Sequence, residues 1–205
     1  MTFLLFLAAA SIIALSPGPG IFYVAARTLA GGRNEGLASS VGTGIGGLVH
    51  VAAGAVGVSA LVMASAEAFT LLKIAGALYL VWLGIKTVRE ARIDVPAASA
   101  ALGVRRAFRE GIVVEALNPK TAAFFLAFLP QFVDPMASAV WLQFVGLGLL
   151  SVILNTAVDG LVVLAASHGR SVALSRPTLL RRLRAGSGLV IASLGLGLLF
   201  ARRPA

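Results

Sequence analysis

The chain has 205 residues, of which 59% are hydrophobic and 12% are charged, and its mean hydropathy is +0.96. A soluble core of this size does not need so much apolar surface, so the composition indicates an integral membrane protein. A net charge of +9 would suggest a nucleic-acid partner in a soluble protein. Here the arginines fall in short connections between apolar stretches, where they control membrane topology. No cysteine is present, which excludes disulfides and thiolate chemistry.

Six apolar stretches can each cover about 20 residues, the length that a bilayer requires. All six are expected to be helices, because lipid offers no hydrogen-bond partner to the edge of a sheet. They lie near residues 3–26, 37–64, 68–88, 109–132, 138–167 and 186–201. We therefore predict an all-α membrane protein with six transmembrane helices, folded as a single domain over residues 1–205.

Short helix-breaking sequences interrupt the first and the fourth of these stretches. Proline and glycine end ordinary helices. In a membrane, such a break is tolerated only where the freed backbone groups face protein or a water-filled cavity. Matching breaks in the two halves of a membrane protein indicate a transport site. The candidate substrate-binding residues in the two breaks are Ser16, Pro17, Gly18, Pro19, Asn118, Pro119 and Lys120.

The two halves of the chain also match each other at an offset of 102 residues, which places Pro17 on Pro119. Three helices in each half mean that the second half enters the membrane from the opposite side. This arrangement predicts two inverted repeats of three helices, about residues 1–90 and about residues 105–205, with helices 1 and 4 broken.

Lysine and arginine are distributed unevenly between the two sides of this arrangement. The first, third and fifth connections carry thirteen of them, whereas the remaining connections and the termini carry three. By the positive-inside rule, residues 87–108 and 169–185 are expected in the cytoplasm and both termini outside. Pro17 and Pro119 each lie ten residues from an arginine at the predicted cytoplasmic end of their helix. That is about 15 Å along a helix, so both breaks are expected near the bilayer midplane.

Four ionisable side chains fall within the predicted helices, and charge at that depth costs about 2.5–3.5 kcal/mol even on insertion scales. They are His50, Glu115, Lys120 and Asp159. One interpretation is a polar pocket with a carboxylate that binds a proton, and the other is a structural ion pair such as Asp159 with Lys120. Asn155, one turn before Asp159, extends the candidate substrate-binding set. Asp159, Glu115 and His50 are the candidates for charge coupling, although His50 fits a packing role equally well.

Two further features have structural interpretations. Asn118 is suited to cap the helix that restarts at Pro119, a role that is compatible with substrate binding. Gly42 and Gly46 form a G-x-x-x-G pair, which favours close helix packing within one protomer or between the protomers of a homodimer. Motifs of hydrolases, metalloproteases and phosphate-binding loops are missing from the sequence. We therefore expect neither an enzyme nor a cofactor, and one histidine with two carboxylates makes a poor metal site.

Taken together, five motifs resemble the LysE/RhtB family of amino-acid exporters. They are Leu15-Ser16-Pro17-Gly18-Pro19, the glycine-rich second stretch ending near His50, Lys73-x-x-Gly76-Ala77-x-Tyr79-Leu80-x-Trp82-Leu83-Gly84, Asn118-Pro119-Lys120, and Phe128-Leu129-Pro130-Gln131-Phe132. The resemblance covers nearly the whole chain and implies a six-helix protein of the bacterial inner membrane that exports amino acids or close derivatives. It also implies energy from the membrane potential or proton gradient, and a dimer.

This sequence agrees with the family at one position and departs from it at another. Asp159 falls where members commonly carry an aspartate, whereas Glu115 stands where relatives often have asparagine. A carboxylate at position 115 can favour a cationic substrate, pair with Lys120 or carry a proton.

The sequence thus predicts a secondary exporter of amino acids or related amines that works by alternating access around the two breaks. The N-termini of broken helices offer unpaired N–H groups to a substrate carboxylate. Asp159 or Glu115 would pair with the substrate amine or exchange a proton for it. The expected partners are a small-molecule substrate and membrane lipids, not nucleic acid. The rival interpretations are a cation or metal-ion exporter of similar architecture, and an intramembrane enzyme or assembly factor.

Overall fold

The structure, a computed structural model, describes residues 2–58, 66–91, 100–134, 136, 139–168 and 177–200. Within these ranges all regular secondary structure is helical, as predicted. The helices are α1 (Thr2–Leu15), α2 (Pro19–Ala53), α3 (Ala66–Glu90), α4 (Val104–Ala116), α5 (Pro119–Ala123), α6 (Val140–His168) and α7 (Pro177–Phe200). A π-helical turn (Gly54–Val58) extends α2, and α5 continues through a π-helical turn (Phe124–Phe128) and a 3₁₀ turn (Leu129–Phe132).

In the part of the chain that the structure describes, four helical stretches are long and apolar enough to cross a membrane, which agrees with a multi-pass membrane protein. They are Pro19–Gly57, Thr70–Glu90, Val104–Phe132 and Val140–His168. Two shorter apolar helices cover Phe3–Leu15 and Ala185–Phe200. Residues 92–99 and 169–176 of the predicted cytoplasmic connections lie outside the described residues, as do residues 59–65 of the second predicted helix and residues 201–205.

Both predicted breaks are present. Helix α1 ends at Leu15 and α2 begins at Pro19, while α4 ends at Ala116 and α5 begins at Pro119. Each proline occupies the first turn of the helix that restarts, where its missing N–H would have no intrahelical acceptor in any case. The proline-rich breaks therefore end one helix and start the next, rather than only bending a continuous helix.

Helix α2 reverses its direction at Gly32. A straight helix of its 35 residues would be about 52 Å long, against a bilayer core of about 30 Å. Gly32 has φ 80° and ψ −172°, a conformation open essentially only to glycine. A Cβ on Gly36 would touch the Thr28 hydroxyl, although these residues would lie about 12 Å apart in a straight helix. Helix α2 thus consists of a first arm before Gly32 and a second arm after it.

The reversal changes the interpretation of the first connection. The sequence predicted a surface connection carrying Arg27, but the residues there are helical and Arg27 is only 4% exposed. Its guanidinium donates a hydrogen bond to the Ala100 carbonyl oxygen at 3.2 Å and lies 4.0 Å from the Glu35 carboxylate. Glu35 in turn accepts a hydrogen bond from the Gly103 N–H at 2.7 Å. Folding the two arms together brings Arg27 and Glu35 face to face, so Arg27 is buried rather than exposed.

Helix α4 packs against both arms of α2. In the first arm, the Tyr23 hydroxyl donates a hydrogen bond to the Ala107 carbonyl oxygen at 2.9 Å. In the second arm, Gly42 and Gly46 meet the backbone of α4, and a Cβ on Gly46 would lie 2.5 Å from the Ile112 carbonyl oxygen. The G-x-x-x-G pair therefore packs two helices of one protomer, which confirms the first of the two packing interpretations. Glycines also permit close packing of α3 along α7.

An apolar cluster rich in aromatic residues fills the protein beside the breaks. Its members come from α1, the end of α2, α6, and α5 with the turns that extend it. The buried members are Phe6, Ala10, Ile13, Val51, Phe124, Phe125, Leu129, Val133, Val140 and Phe144. Dispersion contacts of this kind hold helices together in lipid, because the hydrophobic effect does not drive helix association there.

Candidate functional site

The two breaks meet through the side chain of Lys120. Its ammonium donates hydrogen bonds to the carbonyl oxygens of Ser16, at 2.8 Å, and Ile13, at 3.1 Å. These carbonyls belong to the C-terminal end of α1, which carries a partial negative charge, and the Ile13 carbonyl oxygen also accepts from the Ser16 N–H at 3.1 Å. Lys120 from the second break thus caps the helix that ends at the first break. The two breaks are therefore in direct contact.

Glu115, in the last turn of α4, is held by neutral donors. Its two carboxylate oxygens accept hydrogen bonds from the Thr121 hydroxyl, at 2.6 Å, and from the Asn118 amide, at 2.8 Å. Its backbone carbonyl lies 2.9 Å from Nε2 of His50. Since a carbonyl oxygen can only accept, Nε2 carries the proton. His50 also lies 5.8 Å from the Phe125 ring, between ring centroids, so the structure places it in a packing role.

The two restarting helices differ in their N-terminal caps. Asn118 accepts a hydrogen bond from the Lys120 N–H at 3.1 Å, which confirms the predicted cap of α5. Helix α2 instead follows Gly18, which has no side chain to cap it. In the described part of the chain, the N–H groups of Gly20 and Ile21 consequently have no hydrogen-bond acceptor. Among the described residues, the first break therefore leaves two N–H groups without an acceptor, whereas the second leaves one, that of Thr121.

Asp159 is buried in the middle of α6 and is 5% exposed. Its carboxylate lies 2.8 Å from the Thr43 hydroxyl, which also lies 2.8 Å from the Ser40 carbonyl oxygen. Among the described residues, Lys120 forms an ion pair with neither Asp159 nor Glu115. The suggested Asp159–Lys120 pair is therefore not formed, because the ammonium is directed to the carbonyl oxygens of α1.

A small cavity lies where these groups converge, and we call it the polar cavity. The volume that the centre of a water molecule can occupy in this cavity is only about 20 Å³. One water needs about 10–15 Å³ by this measure, so the cavity must widen before it can hold an amino acid. The residues that line it are Gly20, Ile21, Thr43, Gly44, Gly47, Glu115, Asn118, Lys120, Thr121, Phe125, Val152, Asn155, Thr156 and Asp159.

A second and wider space lies on the other side of Lys120, and we call it the vestibule. About 400 Å³ of it is open to the centre of a water molecule. Its walls come from the first break, α3, α7 and the start of α5, and they are mainly apolar. Lys120 lines both spaces, so it lies where they approach each other.

The structure divides the predicted site residues between these two spaces. The polar cavity receives Glu115, Asn118, Lys120, Asn155 and Asp159. The vestibule receives Pro17, Gly18, Pro19, Pro119 and again Lys120. Two predicted residues line neither space. The Ser16 hydroxyl faces the Ser187 carbonyl oxygen of α7 at 3.4 Å, and His50 bonds the backbone of Glu115.

Sequence reasoning did not single out the threonines at the polar cavity, Thr43, Thr121 and Thr156. A threonine in an apolar helix commonly bonds a carbonyl of its own helix, as Thr28 does with Val24 at 2.7 Å. Only Thr121, which directly follows the second break, had a position in the sequence that could have drawn attention to it.

Broken helices that meet at a buried polar cavity, within a set of long apolar helices, define a membrane transporter. The chain belongs to the LysE type translocator family, whose model matches residues 11–202. The resemblance found in the sequence is thereby confirmed. Members of this family are transporters, so the protein is not an enzyme.

Several curated proteins are similar to this chain over most of its length. An uncharacterized membrane protein of Vibrio cholerae is 34% identical over 200 residues, covering 97% of this chain and 95% of that protein. A homoserine/homoserine lactone efflux protein of Salmonella typhimurium is 33% identical over 156 residues, covering 75% and 74%. A leucine efflux protein of Klebsiella pneumoniae is 28% identical over 173 residues, covering 82% and 80%. No solved structure matches the chain.

Proposed function

We propose that this protein is a secondary-active exporter of amino acids or close derivatives in the bacterial inner membrane, driven by proton exchange. The observation that carries the proposal is the polar cavity, which combines free backbone N–H groups with a buried carboxylate. Those two kinds of group match the two charged ends of an amino acid. The names of the homoserine and leucine efflux relatives support the same substrate class.

The carboxylate of the substrate would bind at the start of α2. There Gly20 and Ile21 line the cavity, and their N–H groups have no acceptor among the described residues. The N-terminus of a helix also carries a partial positive charge, and this combination is a common site for anions. The uncapped first break therefore suits a carboxylate better than the second break, where Asn118 already satisfies a backbone donor.

The amine of the substrate would bind at Asp159, in competition with a proton. When Asp159 is ionised, the Thr43 hydroxyl can donate to it. When Asp159 is protonated, it can donate to Thr43, which then donates to the Ser40 carbonyl oxygen. Asp159 thus keeps a hydrogen-bond partner in both states, which lowers the cost of changing its protonation inside the membrane.

The balance of charge around the polar cavity supports such an exchange. Glu115, Lys120 and Asp159 leave one negative charge uncompensated when all three are ionised. A proton or a substrate ammonium on Asp159 neutralises it. Since one carboxylate cannot hold both, proton entry from outside would release the substrate there, and substrate binding inside would release the proton.

Alternating access would require the two breaks to move relative to each other. We propose that six membrane-spanning helices form two inverted repeats, since α1 with the first arm of α2 corresponds to α4 with α5 in being interrupted before a proline. Both termini would then lie outside. The homodimer stays a prediction from the family resemblance.

Growth rescue tests this proposal in cells. Cells that express the protein should survive toxic concentrations of at least one amino acid, with leucine and homoserine tested first, and their content of that amino acid should fall. Cells that carry the empty vector are the control. If every amino acid stays at its control level, while a metal ion falls or a metabolic product accumulates, the proposal is wrong.

A further inference from the structure

Lys120 lines two spaces of very different size. The polar cavity leaves about 20 Å³ for the centre of a water molecule, and the vestibule leaves about 400 Å³. Because Lys120 is the residue common to both linings, the shortest route from the vestibule to the polar cavity leads past it. The residue that controls the passage is a cation, and it is 5% exposed.

The charge on Lys120 is only partly compensated. An ammonium has three donors, and in the described part of the chain two are used, on the carbonyl oxygens of Ser16 and Ile13. Those oxygens belong to dipoles and carry no full negative charge. Among the described residues the nearby carboxylates of Glu115 and Asp159 form no direct ion pair with it, and a charge-assisted hydrogen bond to a carboxylate is stronger than one to a carbonyl. Replacing one backbone carbonyl oxygen by a carboxylate would therefore strengthen the hydrogen bonding of the Lys120 ammonium.

The absence of a side chain at Gly18 makes room for the side chain of Lys120. A Cβ at that position would be 3.1 Å from Cε and 3.3 Å from Nζ of the lysine. The prolines on either side of Gly18 lack N–H groups, so they offer an incoming anion no donor. In this part of the vestibule, Lys120 is consequently the charged group to which an anion can bind.

The last turns of α3 form part of the vestibule wall. Thr87 lies there, and Lys86 and Glu90 are 3.8 Å apart as a half-exposed ion pair. Phe22, Leu83 and Ile191 supply apolar surface between this pair and Lys120. A solute with a carboxylate at one end and a compact apolar side chain fits such a space. The end of α3 belongs to the predicted cytoplasmic side, from which an exporter takes its substrate.

We propose that the vestibule is a first binding site for the substrate, where its carboxylate draws Lys120 away from the end of α1 and so opens the passage to the polar cavity. This inference rests on the proposed export of amino acids. It assigns Lys120 two successive partners, first the carbonyl oxygens of α1 and then the substrate carboxylate. It also predicts that binding in the vestibule requires a free carboxylate but not a proton on Asp159.

Thiol labelling tests the proposal, because the chain contains no cysteine. Thr87→Cys places a single thiol in the vestibule, and a maleimide added to inside-out membrane vesicles reports its accessibility. Leucine should slow the labelling, whereas leucinamide, which lacks the carboxylate, should not. With Lys120→Met added, the leucine concentration needed for protection should rise roughly 10- to 100-fold, the value expected for a lost hydrogen bond to a charged group. Lys120→Arg should retain most of the protection.

Two further variants guard against loss of folding. Gly18→Ala, which crowds Lys120 while keeping its charge, should also weaken protection, whereas Lys73→Met, a lysine that does not line the vestibule, should leave it unchanged. Equal protection by leucine and leucinamide, no protection by either, or full protection in the Lys120→Met protein would overturn the vestibule site. If that happens while the Thr87→Cys protein still exports leucine, the proposed function stands. Carboxylate-dependent protection in a protein that exports no amino acid would instead contradict the proposed function.

Discussion

Replacing Asp159 by asparagine separates a coupling role from a structural one. Had Asp159 been paired with Lys120, the change would have stranded a buried ammonium, at a cost of about 3–5 kcal/mol. In the structure its partner is the neutral Thr43 hydroxyl, at 2.8 Å. The asparagine amide can donate to this hydroxyl, which can still donate to the Ser40 carbonyl oxygen, as in the protonated aspartic acid. We therefore expect a loss of only about 1 kcal/mol or less in the free energy of unfolding.

The assay for Asp159→Asn combines thermal unfolding in detergent with proton-driven flux in proteoliposomes. A loss of about 1 kcal/mol corresponds to a fall of roughly 2–4 °C in Tm for a chain of this size. Loss of an ion pair would lower Tm by roughly 6 °C or more on the same scale. Since the variant resembles the protonated state permanently, gradient-driven flux should fall to the level of protein-free liposomes, because the substrate amine loses the carboxylate for which it competes with the proton.

The matched control is Asp134→Asn, which makes the same substitution at an exposed position between α5 and α6. It should change neither Tm nor flux by a measurable amount. Proton-driven flux of the Asp159→Asn protein at the wild-type rate would remove Asp159 from the mechanism. A large fall in Tm together with lost flux would show that the carboxylate is structural, contrary to its observed contacts.

Three further predictions concern packing, the breaks and topology. Gly46→Ala would place a Cβ 2.5 Å from the Ile112 carbonyl oxygen and should cost about 1–3 kcal/mol in thermal unfolding. Gly146→Ala, with nothing within 4 Å, is the control, and equal Tm values for the two would contradict the packing described. Pro17→Ala and Pro119→Ala should keep membrane expression but abolish export, because straightened helices pair backbone groups meant for the substrate. Normal export by both variants would place the site elsewhere. Reporter fusions should place both termini outside, and a cytoplasmic C-terminus would contradict six spans and the inverted repeats.

The positions of the helix breaks could be predicted from local sequence because their cause is local. Proline and glycine act on the backbone of their own turn, so Pro19 and Pro119 mark helix starts whatever surrounds them. The Asn118 cap is local for the same reason. Even the meeting of the two breaks followed from counting residues to the nearest arginine, because the rise per residue of a helix is fixed.

The partners of buried charges could not be predicted in this way. Lys120 had two carboxylates within plausible reach in sequence terms, but its actual partners are backbone carbonyl oxygens of α1, about a hundred positions away. The role of Thr43 likewise depends on how α2 and α6 approach each other. Arg27 was counted as an exposed connection residue, because one glycine conformation at position 32 decides that the connection is helical and buried.

Export by the purified protein is the most direct test of the proposed function. Proteoliposomes loaded with labelled leucine or homoserine, in separate preparations, should release the label faster than protein-free liposomes. Release should accelerate when the medium outside is made more acidic than the lumen, and a protonophore should abolish that acceleration. Release of both amino acids at the protein-free rate, with or without the proton gradient, would contradict the account.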